Sequence, residues 1–374
     1  MLLEIQTLPK FYSDLMAVFG GGRSQEFNAK RAKMHNSKIV LSEQKNQRLR
    51  VEVLVKELGV REDFGIIIAC GDQDYLFAKG CCASIRYFLG DVPICLLIDG
   101  TFSVSALEKS YGVRVIDRTT VSQDVLRKRI FGWGKTKMIA FWESPRLNFL
   151  VLDVDIIVWG DVLKCANFKE FDFIVDQPGQ ENSDADISKF FFDIPGVEKH
   201  FPSFNWSQYR ANYFCTGTFF AKRGIFNLEE YVEILDFTVA NPGIFKYGEM
   251  VFLNFMIFRV AGESRLRVQS VDMQFLMPDF DRDLVKKRFP VESSGPAGDR
   301  ALATVIHWCG PKPTLSTSQV YSEPMNFCRR KCQEDVWNRR GLAAQMSLQF
   351  EDLQRSIYVY NNKFKKKFRQ LAGK

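Results

Sequence analysis

Short apolar segments bounded by turn residues alternate with segments of helical periodicity along most of this 374-residue chain. Six apolar segments are nearly continuous, as in strands buried on both faces, and they span 64–70, 92–99, 112–118, 148–159, 171–176 and 303–308. Apolar residues at helical spacing predict helices at 74–89, 121–144, 226–241 and 247–260. This alternation predicts an α/β fold with a mostly parallel central sheet flanked by helices, in which ligands bind at the carboxyl ends of the strands.

Three regions follow from where the alternation begins and ends. Residues 1–60 are polar with an interrupted helical pattern, which predicts a mostly helical N-terminal extension. Residues 61–320 form the predicted main domain, and residues 321–374 a helical C-terminal region. Within the main domain, residues 176–212 are rich in Pro, Asn, Asp and aromatic residues, which predicts a long functional loop outside the sheet.

The net charge of +7 comes from one end of the chain. Residues 354–374 contain seven Lys and Arg and no Asp or Glu, so the rest of the chain is neutral. A neutral body argues against a nucleic-acid-binding protein, whose basic residues would cover the binding face. We therefore expect no nucleic-acid partner.

The basic tail also carries an apolar stripe. Its members recur at spacings of three and four residues, and they are Leu353, Ile357, Tyr360, Phe364, Phe368 and Leu371, with Lys363, Lys365, Lys366 and Arg369 away from them. A basic amphipathic helix of this kind lies on an anionic membrane surface, where each Lys or Arg contributes about 1 kcal/mol. Docking of the same stripe on the protein's own body is the alternative.

Cysteine usage and apolar segments bear on the compartment. The nine cysteines are scattered without the C-x-x-C spacing of a zinc site, and their odd number favours a reduced protein. The chain shows no basic segment followed by an apolar core at its start, and no stretch approaches the ~20 apolar residues of a membrane span. We therefore expect a cytoplasmic protein, lying peripherally on the inner face of the membrane through its tail.

Two carboxylates, Asp153 and Asp155, interrupt the apolar segment NFLVLDVDIIVW. An unpaired carboxylate in a buried strand costs several kcal/mol or more, so a partner is expected, and a divalent cation is suitable. Residues two apart on a regular strand point the same way, which directs both carboxylates at one ion. The alternative is a strand that ends early, with both residues in a solvated turn.

His307 ends another apolar strand and is followed at once by Gly310 and Lys312 in the segment ATVIHWCGPKP. One imidazole and two carboxylates form a mixed N/O ligand set suited to Mn²⁺ or Mg²⁺, and the lysine offers a partner for a phosphate. The alternative is a hydrogen-bonded structural histidine.

The main domain contains an ordered series of motifs: IIIACGDQDY, TKMIAFW, LVLDVDIIVWGDV, YFCTGTFFA, GEMVFLN, QFLMP and VIHWCGPKP. In this order the motifs resemble the family 8 type glycosyltransferases, the group of glycogenin and the bacterial lipopolysaccharide galactosyl- and glucosyltransferases. The resemblance covers residues 64–313. It implies the GT-A fold and transfer of a sugar from a nucleotide-sugar donor, with a UDP-sugar as the expected donor.

The resemblance assigns the first motif to the nucleoside. Ala69, Gly71 and Asp72 are then expected near the base and ribose, with Tyr75 stacked on uracil, for which a flat aromatic face is suited. Without the resemblance, Tyr75 is typical of an aromatic residue that packs on the sheet at the start of a helix.

The resemblance also implies a set of charged residues at the reacting groups. Lys137 matches a cation near the donor sugar and phosphate, where it would stabilise the departing diphosphate. A helix-surface lysine is the alternative, and Lys135 is close enough to be confused with it. Asp153, Asp155 and His307 match the three protein ligands of Mn²⁺ (or Mg²⁺).

Two further segments are assigned to the donor and depart from the family. Gly310 and Lys312 match the diphosphate-binding turn, which is one residue shorter here. Asn212 and Gly217 belong to the donor-binding segment, in which the family usually has an acid at position 212 and an asparagine at Cys215.

The family's usual Asp-Gln pair is replaced by Glu249 and Met250. Glu249 retains a carboxylate for sugar hydroxyls, whereas a thioether cannot copy an amide. Lys137, Asp153 and Glu249 are therefore the expected catalytic residues.

These observations predict a metal-dependent glycosyltransferase that acts on a surface-glycan or glycolipid acceptor, as in lipopolysaccharide or capsule biosynthesis, with retention of the anomeric configuration. One rival is a nucleotidyltransferase, which also uses paired carboxylates and a metal. Its expected glycine-rich phosphate loop is not found, because GGGR at 20–23 precedes no apolar strand. A second rival, suggested by Cys215 and Met250, is a non-catalytic homologue that binds nucleotide sugars.

Overall fold

The computed structural model describes residues 63–132, 134–246, 248–299 and 302–372. The predicted N-terminal extension lies outside the described residues. So do the side chains of Lys366, Arg369 and Leu371, which belong to the predicted apolar and basic positions of the tail.

The central sheet has seven strands in the order β3-β2-β1-β4-β7-β6-β8. Their bounds are β1 Phe64–Gly71, β2 Ile94–Asp99, β3 Arg114–Ile116, β4 Asn148–Asp153, β6 Phe173–Asp176, β7 Thr218–Lys222 and β8 Val268–Val271. The first four are mutually parallel, and β7 runs antiparallel between β4 and β6. The predicted α/β class with a mostly parallel central sheet is confirmed.

A smaller sheet extends from the end of β4. Its order is β5-β12-β9, with bounds β5 Ile156–Gly160, β9 Gln274–Leu276 and β12 Ala303–His307. The strand β12 pairs antiparallel with β5, so that His307 lies opposite Ile156. A separate hairpin pairs β10 Val291–Glu292 with β11 Gly295–Pro296.

Helices cover both faces of the central sheet. Their bounds are α1 Tyr75–Phe88, α2 Ser105–Tyr111, α3 Asp124–Arg129, α4 Ala140–Glu143, α5 Asp184–Asp186, α6 Ile194–His200, α7 Leu228–Ala240, α8 Gly248–Gly262, α9 Arg282–Arg288, α10 Glu323–Trp337 and α11 Gly341–Ala372. Ile66 and Ile68 of β1 belong to one hydrophobic core, and Ile67 belongs to the core on the other face. Burial on both faces explains why the strand is apolar at consecutive positions.

Two predicted elements are broken. The predicted strand 148–159 is two strands, β4 and β5, separated by a turn at residues 154–155. The predicted helix 121–144 is interrupted between α3 and a 3₁₀ turn at Lys135–Ile139, because Gly132 and Gly134 adopt positive φ angles of 106° and 74°. A left-handed residue ends a right-handed helix, and glycine adopts that conformation without steric cost.

Other strands differ from prediction in length or were not predicted. The predicted strand 112–118 is ordered as a strand only over β3. Strands β7, β8 and β9 were not predicted, because each has only three to five residues and none forms a long apolar segment in the sequence.

The helix α11 contacts the body through its charged face. Glu351 lies 2.6 Å from Lys79 and 3.0 Å from Arg329, whose side chain is fully buried. Arg355 lies 3.1 Å from Asp74, which follows β1. These ion pairs fix the rotation of α11 about its own axis.

The opposite face of α11 is apolar and exposed. Its side chains are between 52% and 70% exposed, and they are Leu342, Met346, Phe350, Leu353, Ile357, Tyr360, Phe364 and Phe368. These side chains do not dock on the body of the protein. None of the described helices is both long and apolar enough to span a bilayer.

Candidate functional site

The acid pair lies where the chain leaves the central sheet for the smaller one. Asp153 ends β4, and its backbone N–H donates to the carbonyl of Gly217 at 2.8 Å. Asp155 lies in the following turn, and its carbonyl accepts from the N–H of Trp308 at 3.2 Å. The strand therefore ends early, as in the alternative interpretation, but the turn is not solvated, because Asp155 is only 5% exposed.

His307, at the end of β12, faces both carboxylates. Its Nε2 lies 3.5 Å from Oδ1 of Asp155 and 4.0 Å from Oδ2 of Asp153, and the residue is 3% exposed. One ligand atom from each of the three residues lies within 4.8 Å of the other two. Antiparallel pairing of β12 with β5 brings His307 to the acids. The sequence had instead predicted that both carboxylates face one ion because side chains alternate along a single strand.

Asp153, Asp155 and His307, here called the triad, each have one possible ligand atom that faces the other two residues. The other oxygen of Asp153, Oδ1, lies 2.6 Å from Nζ of Lys137, and the other oxygen of Asp155, Oδ2, contacts Lys312. The atoms that remain for an ion are Oδ2 of Asp153, Oδ1 of Asp155 and Nε2 of His307, a mixed O/N set that fits a Mn²⁺ or Mg²⁺ ion.

A hydrogen-bonded chain orients the imidazole of His307. Its Nδ1 lies 2.8 Å from Oε1 of Gln274, whose Nε2 donates to the carbonyl of Cys215 at 3.0 Å and to Asp176 at 3.3 Å. Because the amide nitrogen of Gln274 has these two acceptors, its oxygen faces Nδ1, which must donate. When the ring is neutral its lone pair is therefore on Nε2 and is directed at the carboxylates, which is how a partner outside the ligand set orients a metal-binding histidine.

Gly217 makes room for this arrangement. A Cβ atom at this position would lie 2.3 Å from Cε1 and 2.4 Å from Nδ1 of His307, and 2.8 Å from Oε1 of Gln274. Gly217 therefore backs the histidine and its partner.

Lys137 lies behind the acid pair and is 2% exposed. Its Nζ lies 2.6 Å from Asp153 and 2.9 Å from Oε1 of Glu249, and it donates to the carbonyl of Thr216 at 3.0 Å. Burial lowers the pKa of Lys137, but the charges of Asp153 and Glu249 outweigh burial and raise it well above its ordinary value. Lys137 is thus a permanent cation, and the exposed-lysine alternative does not describe its position.

Protonation of the triad follows from the same contacts. Burial alone would raise the pKa of Asp155, but the hydrogen bond and charge of His307 and the charge of Lys312 lower it below its ordinary range. Burial would lower the pKa of His307, yet Asp155 raises it to about 10. A metal ion on Nε2 would displace that proton and take over its charge.

Glu249 is held in one orientation at the start of α8. Its Oε1 accepts from the hydroxyl of Thr216 at 2.7 Å as well as from Lys137. Its Oε2 lies beside Gly134, where a Cβ atom would come within 2.7 Å of it. Glu249 is therefore an oriented acceptor at the edge of the same site.

Lys137, Asp153, Asp155 and Glu249 line a cleft of about 530 Å³ at the carboxyl ends of β1, β2 and β4, whereas His307 and Gly217 are not part of its lining. The residues predicted from the sequence that line it are Ala69, Gly71, Lys137, Asp153, Asp155, Glu249 and Lys312. Lys312 crosses the mouth of the cleft from the loop after β12, and its Nζ also donates to the carbonyl of Trp308 at 3.3 Å.

Several predicted donor-binding residues lie outside the lining. Tyr75 packs against Phe102, with ring centroids 5.5 Å apart, as in the packing alternative. The side-chain amide of Asn212 donates to Ser270 at 2.8 Å. Asp72 and Gly310 are exposed on the turns that follow β1 and β12.

Sequence reasoning missed several groups at the cleft. Asp99 ends β2 and accepts from the hydroxyl of Thr136 at 3.2 Å, and Gln73 and Asp74 follow β1. The position of Asp99 at the end of a strand that neighbours β1 is a signal that points to this edge of the sheet. Gln274 lies in the motif QFLMP, but nothing in that motif indicates its hydrogen bond to His307.

No protein-family model matches this chain, and no curated protein matches it. Solved structures do match. The galactosyltransferase LgtC in complex with donor and acceptor sugar analogues is 13% identical with a TM-score of 0.46, and the match covers 71% of this chain and 95% of that one. The glycosyltransferase GlyE of Streptococcus pneumoniae TIGR4 is 14% identical with a TM-score of 0.47, covering 74% of this chain and 62% of that one.

A third similar structure is the glucosyl-3-phosphoglycerate synthase of Mycobacterium tuberculosis with Mn²⁺, UDP-glucose and phosphoglyceric acid. It is 10% identical with a TM-score of 0.36, and the match covers 58% of this chain and 72% of that one.

Proposed function

We propose that the chain is a metal-dependent glycosyltransferase that uses a UDP-sugar donor. The observation that supports this most is the convergence of Asp153, Asp155 and His307 on one point, with both carboxylates and Lys312 lining the cleft. A diphosphate needs a site of this composition, because its charge must be neutralised beside two carboxylates.

Asp153, Asp155 and His307 would hold the Mn²⁺ or Mg²⁺ ion. When bound, the ion supplies a Lewis acid that draws charge from the leaving diphosphate. The residues of this chain prepare that site in advance. Gln274 fixes the ring of His307, and Lys137 occupies the second oxygen of Asp153, which leaves one oxygen of that carboxylate for the ion.

Lys312 supplies the movable positive charge of the site. It pairs with Asp155, but its side chain is 31% exposed, in contrast to the buried Lys137. A donor diphosphate at the acid pair offers Lys312 a more highly charged partner than one carboxylate, and the four-carbon stem of a lysine can follow it. Lys312 then holds the diphosphate as its charge increases on departure.

The nucleoside occupies the part of the cleft lined by β1 and β2. Ala69 and Gly71 offer backbone at the end of β1, and Asp99 offers a carboxylate at the end of β2. A carboxylate accepts hydrogen bonds from ribose hydroxyls, as in other nucleotide sites at the carboxyl ends of strands. Tyr75 supports the nucleoside indirectly, through its packing under this turn.

Glu249 supports a positioning role rather than that of a base. Its Oε1 is engaged by Lys137 and Thr216, so the carboxylate has one oxygen left for a sugar hydroxyl. An inverting reaction needs a base that is free to accept a proton from the acceptor. The arrangement therefore favours transfer with retention.

The acceptor is a surface glycan or glycolipid met at an anionic membrane, as in lipopolysaccharide or capsule biosynthesis. The exposed apolar face of α11, with Lys363 and Lys365 beside it, suits a lipid surface. Arg355 of the same helix pairs with Asp74, which lines the cleft. A membrane on the apolar face would thus lie close to the donor site, at which a lipid-linked acceptor must arrive.

A panel of nucleotide sugars, incubated with the full chain and Mn²⁺, tests this function through release of nucleoside diphosphate. We expect one donor to be hydrolysed in a metal-dependent way, and Asp155→Asn to remove the activity. Asp161→Asn is the matched control, because Asp161 is the third acid of the same motif and does not line the cleft. Formation of a nucleoside triphosphate and a sugar 1-phosphate when pyrophosphate is added would indicate a nucleotidyltransferase, and binding without release a non-catalytic homologue.

A further inference from the structure

Two thiols lie on the opposite side of His307 from the acid pair. Sγ of Cys215 is 3.9 Å from Nδ1 of His307. The Sγ atoms of Cys215 and Cys309 and one nitrogen of His307 all lie within 4.8 Å of one another. Because Nε2 of the same ring faces Asp155 at 3.5 Å, one imidazole separates an oxygen-rich group of ligands from a sulfur-rich group.

The two groups of ligands prefer different ions. Thiolates and imidazole bind Zn²⁺ and other thiophilic ions, whereas carboxylates favour Mg²⁺ and Mn²⁺. Zn–S and Zn–N bonds in a tetrahedral site place neighbouring ligand atoms roughly 3.5–3.8 Å apart. The 3.9 Å between Cys215 and His307 is close to this value. All ligand atoms of the cluster lie within 4.8 Å of one another, so no pair has to approach by more than about 1.3 Å. The oxygen of Gln274, 2.8 Å from Nδ1, has to move aside when the ion binds.

The cluster is fixed on one side and accessible on the other. The carbonyl of Cys215 accepts from Gln274 at 3.0 Å, and the preceding residue, Phe214, exchanges two backbone hydrogen bonds with the side chain of Asn254. Cys309 is exposed on the loop after β12, so an ion can reach the cluster from solvent.

We propose that Cys215, Cys309 and Nδ1 of His307 form a second metal site, selective for thiophilic divalent ions such as Zn²⁺, whose occupation excludes the metal ion of the acid pair. The two thiols release their protons to solvent as they bind the ion. The proton of Nδ1 also passes to solvent, which frees the lone pair of Nδ1 for the ion, while Nε2 keeps the proton that faces Asp155. A neutral imidazole has one such lone pair, so His307 serves one ion at a time.

Gln274 determines which site is favoured in the absence of zinc. Its oxygen accepts from Nδ1 at 2.8 Å, which keeps the lone pair on Nε2 and so favours the acid pair. The thiol site does not depend on the proposed function. The exclusion of the second ion does, because it requires His307 to be a ligand of the catalytic metal.

Cadmium titration of the reduced full chain tests the thiol site, because Cd²⁺–thiolate bonds absorb in the near ultraviolet. We expect saturation at one ion per chain, and Cys215→Ser and Cys309→Ser each to weaken binding by at least about tenfold, since even partners outside a ligand set contribute 10- to 100-fold. Cys165→Ser, a change of another incompletely buried cysteine, is the matched control. An unchanged absorption band in both variants would overturn the proposal.

A measurement on the unmodified chain covers the case in which these variants fail to fold. Alkylation followed by peptide mass spectrometry should show Cys215 and Cys309 protected by Zn²⁺ and not by Mn²⁺. Equal alkylation with and without Zn²⁺ overturns the site. Electron paramagnetic resonance of Mn²⁺ should show bound ion released by one equivalent of Zn²⁺. If the thiols are protected while Mn²⁺ stays bound, the exclusion and the assignment of His307 to the catalytic metal are both overturned.

Discussion

Gly217→Ala is the smallest change that tests whether His307 belongs to the metal site. The added methyl group would lie 2.3 Å from Cε1 and 2.4 Å from Nδ1 of His307, whereas ordinary contact with a Cβ atom begins at 3.4 Å. The ring must therefore move by about 1 Å, and the hydrogen bond from Nδ1 to Gln274 must lengthen or break, because that oxygen also lies within 2.8 Å of the new atom.

Two effects of different size follow. Overpacking of a buried site costs typically about 1–3 kcal/mol of folding free energy, and the chain should still fold. Displacement of an oriented histidine ligand should weaken Mn²⁺ binding by about 10- to 100-fold, the loss seen when the partner that orients such a ligand is removed. The metal affinity should thus change more than a modest loss of stability explains.

Isothermal titration of Mn²⁺ and thermal unfolding of the metal-free chain measure the two effects separately. Gly179→Ala is the matched control, because a methyl group there meets nothing within 4 Å and its φ is not in the left-handed region. If Gly217→Ala binds Mn²⁺ as tightly as Gly179→Ala does, His307 is not a ligand. If the stability falls and the metal affinity does not, Gly217 serves packing alone.

Four further predictions concern other parts of the molecule. Binding of UDP, measured by calorimetry, should weaken strongly on chelation and in Asp155→Asn, because Lys137 and Lys312 are already paired with carboxylates and the metal ion supplies the positive charge that the diphosphate needs. Equal affinity with and without metal would contradict the assignment. Glu249→Gln should lower turnover modestly and leave the product anomer the same as that of the donor, read from the anomeric coupling constant in proton NMR. An inverted product would instead identify Glu249 as a base, and its substitution would then cost about 10²–10⁴-fold. The full chain should float with anionic liposomes, and less well as salt is raised. Flotation should be lost when residues 354–374 are deleted, or when the exposed Tyr360 and Phe364 are both changed to Ser. Equal flotation of the truncated chain would exclude the tail as the anchor. Burial raises the pKa of Asp176 to about 6, against the opposing hydrogen bonds of Met273 and Gln274. The protonated carboxyl therefore stabilises the fold, and this contribution is fully present below pH 3.8. It is lost as the pH rises through about 6. Relative to Asp176→Asn, the free energy of unfolding of the unchanged chain should fall over that interval by about 3 kcal/mol, and parallel pH profiles would show that Asp176 does not titrate there.

The strands and helices with the strongest apolar pattern were predictable from the sequence. The strand β1 and the helix α1 lie where predicted. A strand buried on both faces is apolar at consecutive residues, whereas a helix buried along one stripe has apolar residues three and four positions apart, so the two patterns are distinct in the sequence. The break between β4 and β5 was not predictable from apolarity, since residues 149–152 before the acids and 156–159 after them are all apolar. The acids themselves were the one visible sign of the break.

The hydrogen-bond partners of the site residues could not be predicted from the sequence, for a different reason. The contacts of His307 with Gln274 and of Lys137 with Thr216 join residues far apart in sequence, brought together by the pairing of β12 with β9 and the approach of β7. A glutamine in a short strand, or a threonine in the turn before one, has no periodicity or spacing that marks such a role. Residues with charge in an apolar segment could be singled out, whereas uncharged residues that orient them could not.

The two lysines of the site divide the work that positive charge must perform there. A charge buried as deeply as that of Lys137 cannot follow a departing group, and removing one partner of such a pair leaves the others uncompensated, at a cost of about 3–5 kcal/mol. Lys137 therefore holds Asp153 and Glu249 at fixed separations whatever the site contains. In the proposed function Lys312, whose side chain is 31% exposed, exchanges Asp155 for the diphosphate without disturbing the core. One fixed and one movable cation would then help the site to release its product, because the contact of Lys312 can be broken while the ion pairs of Lys137 stay intact.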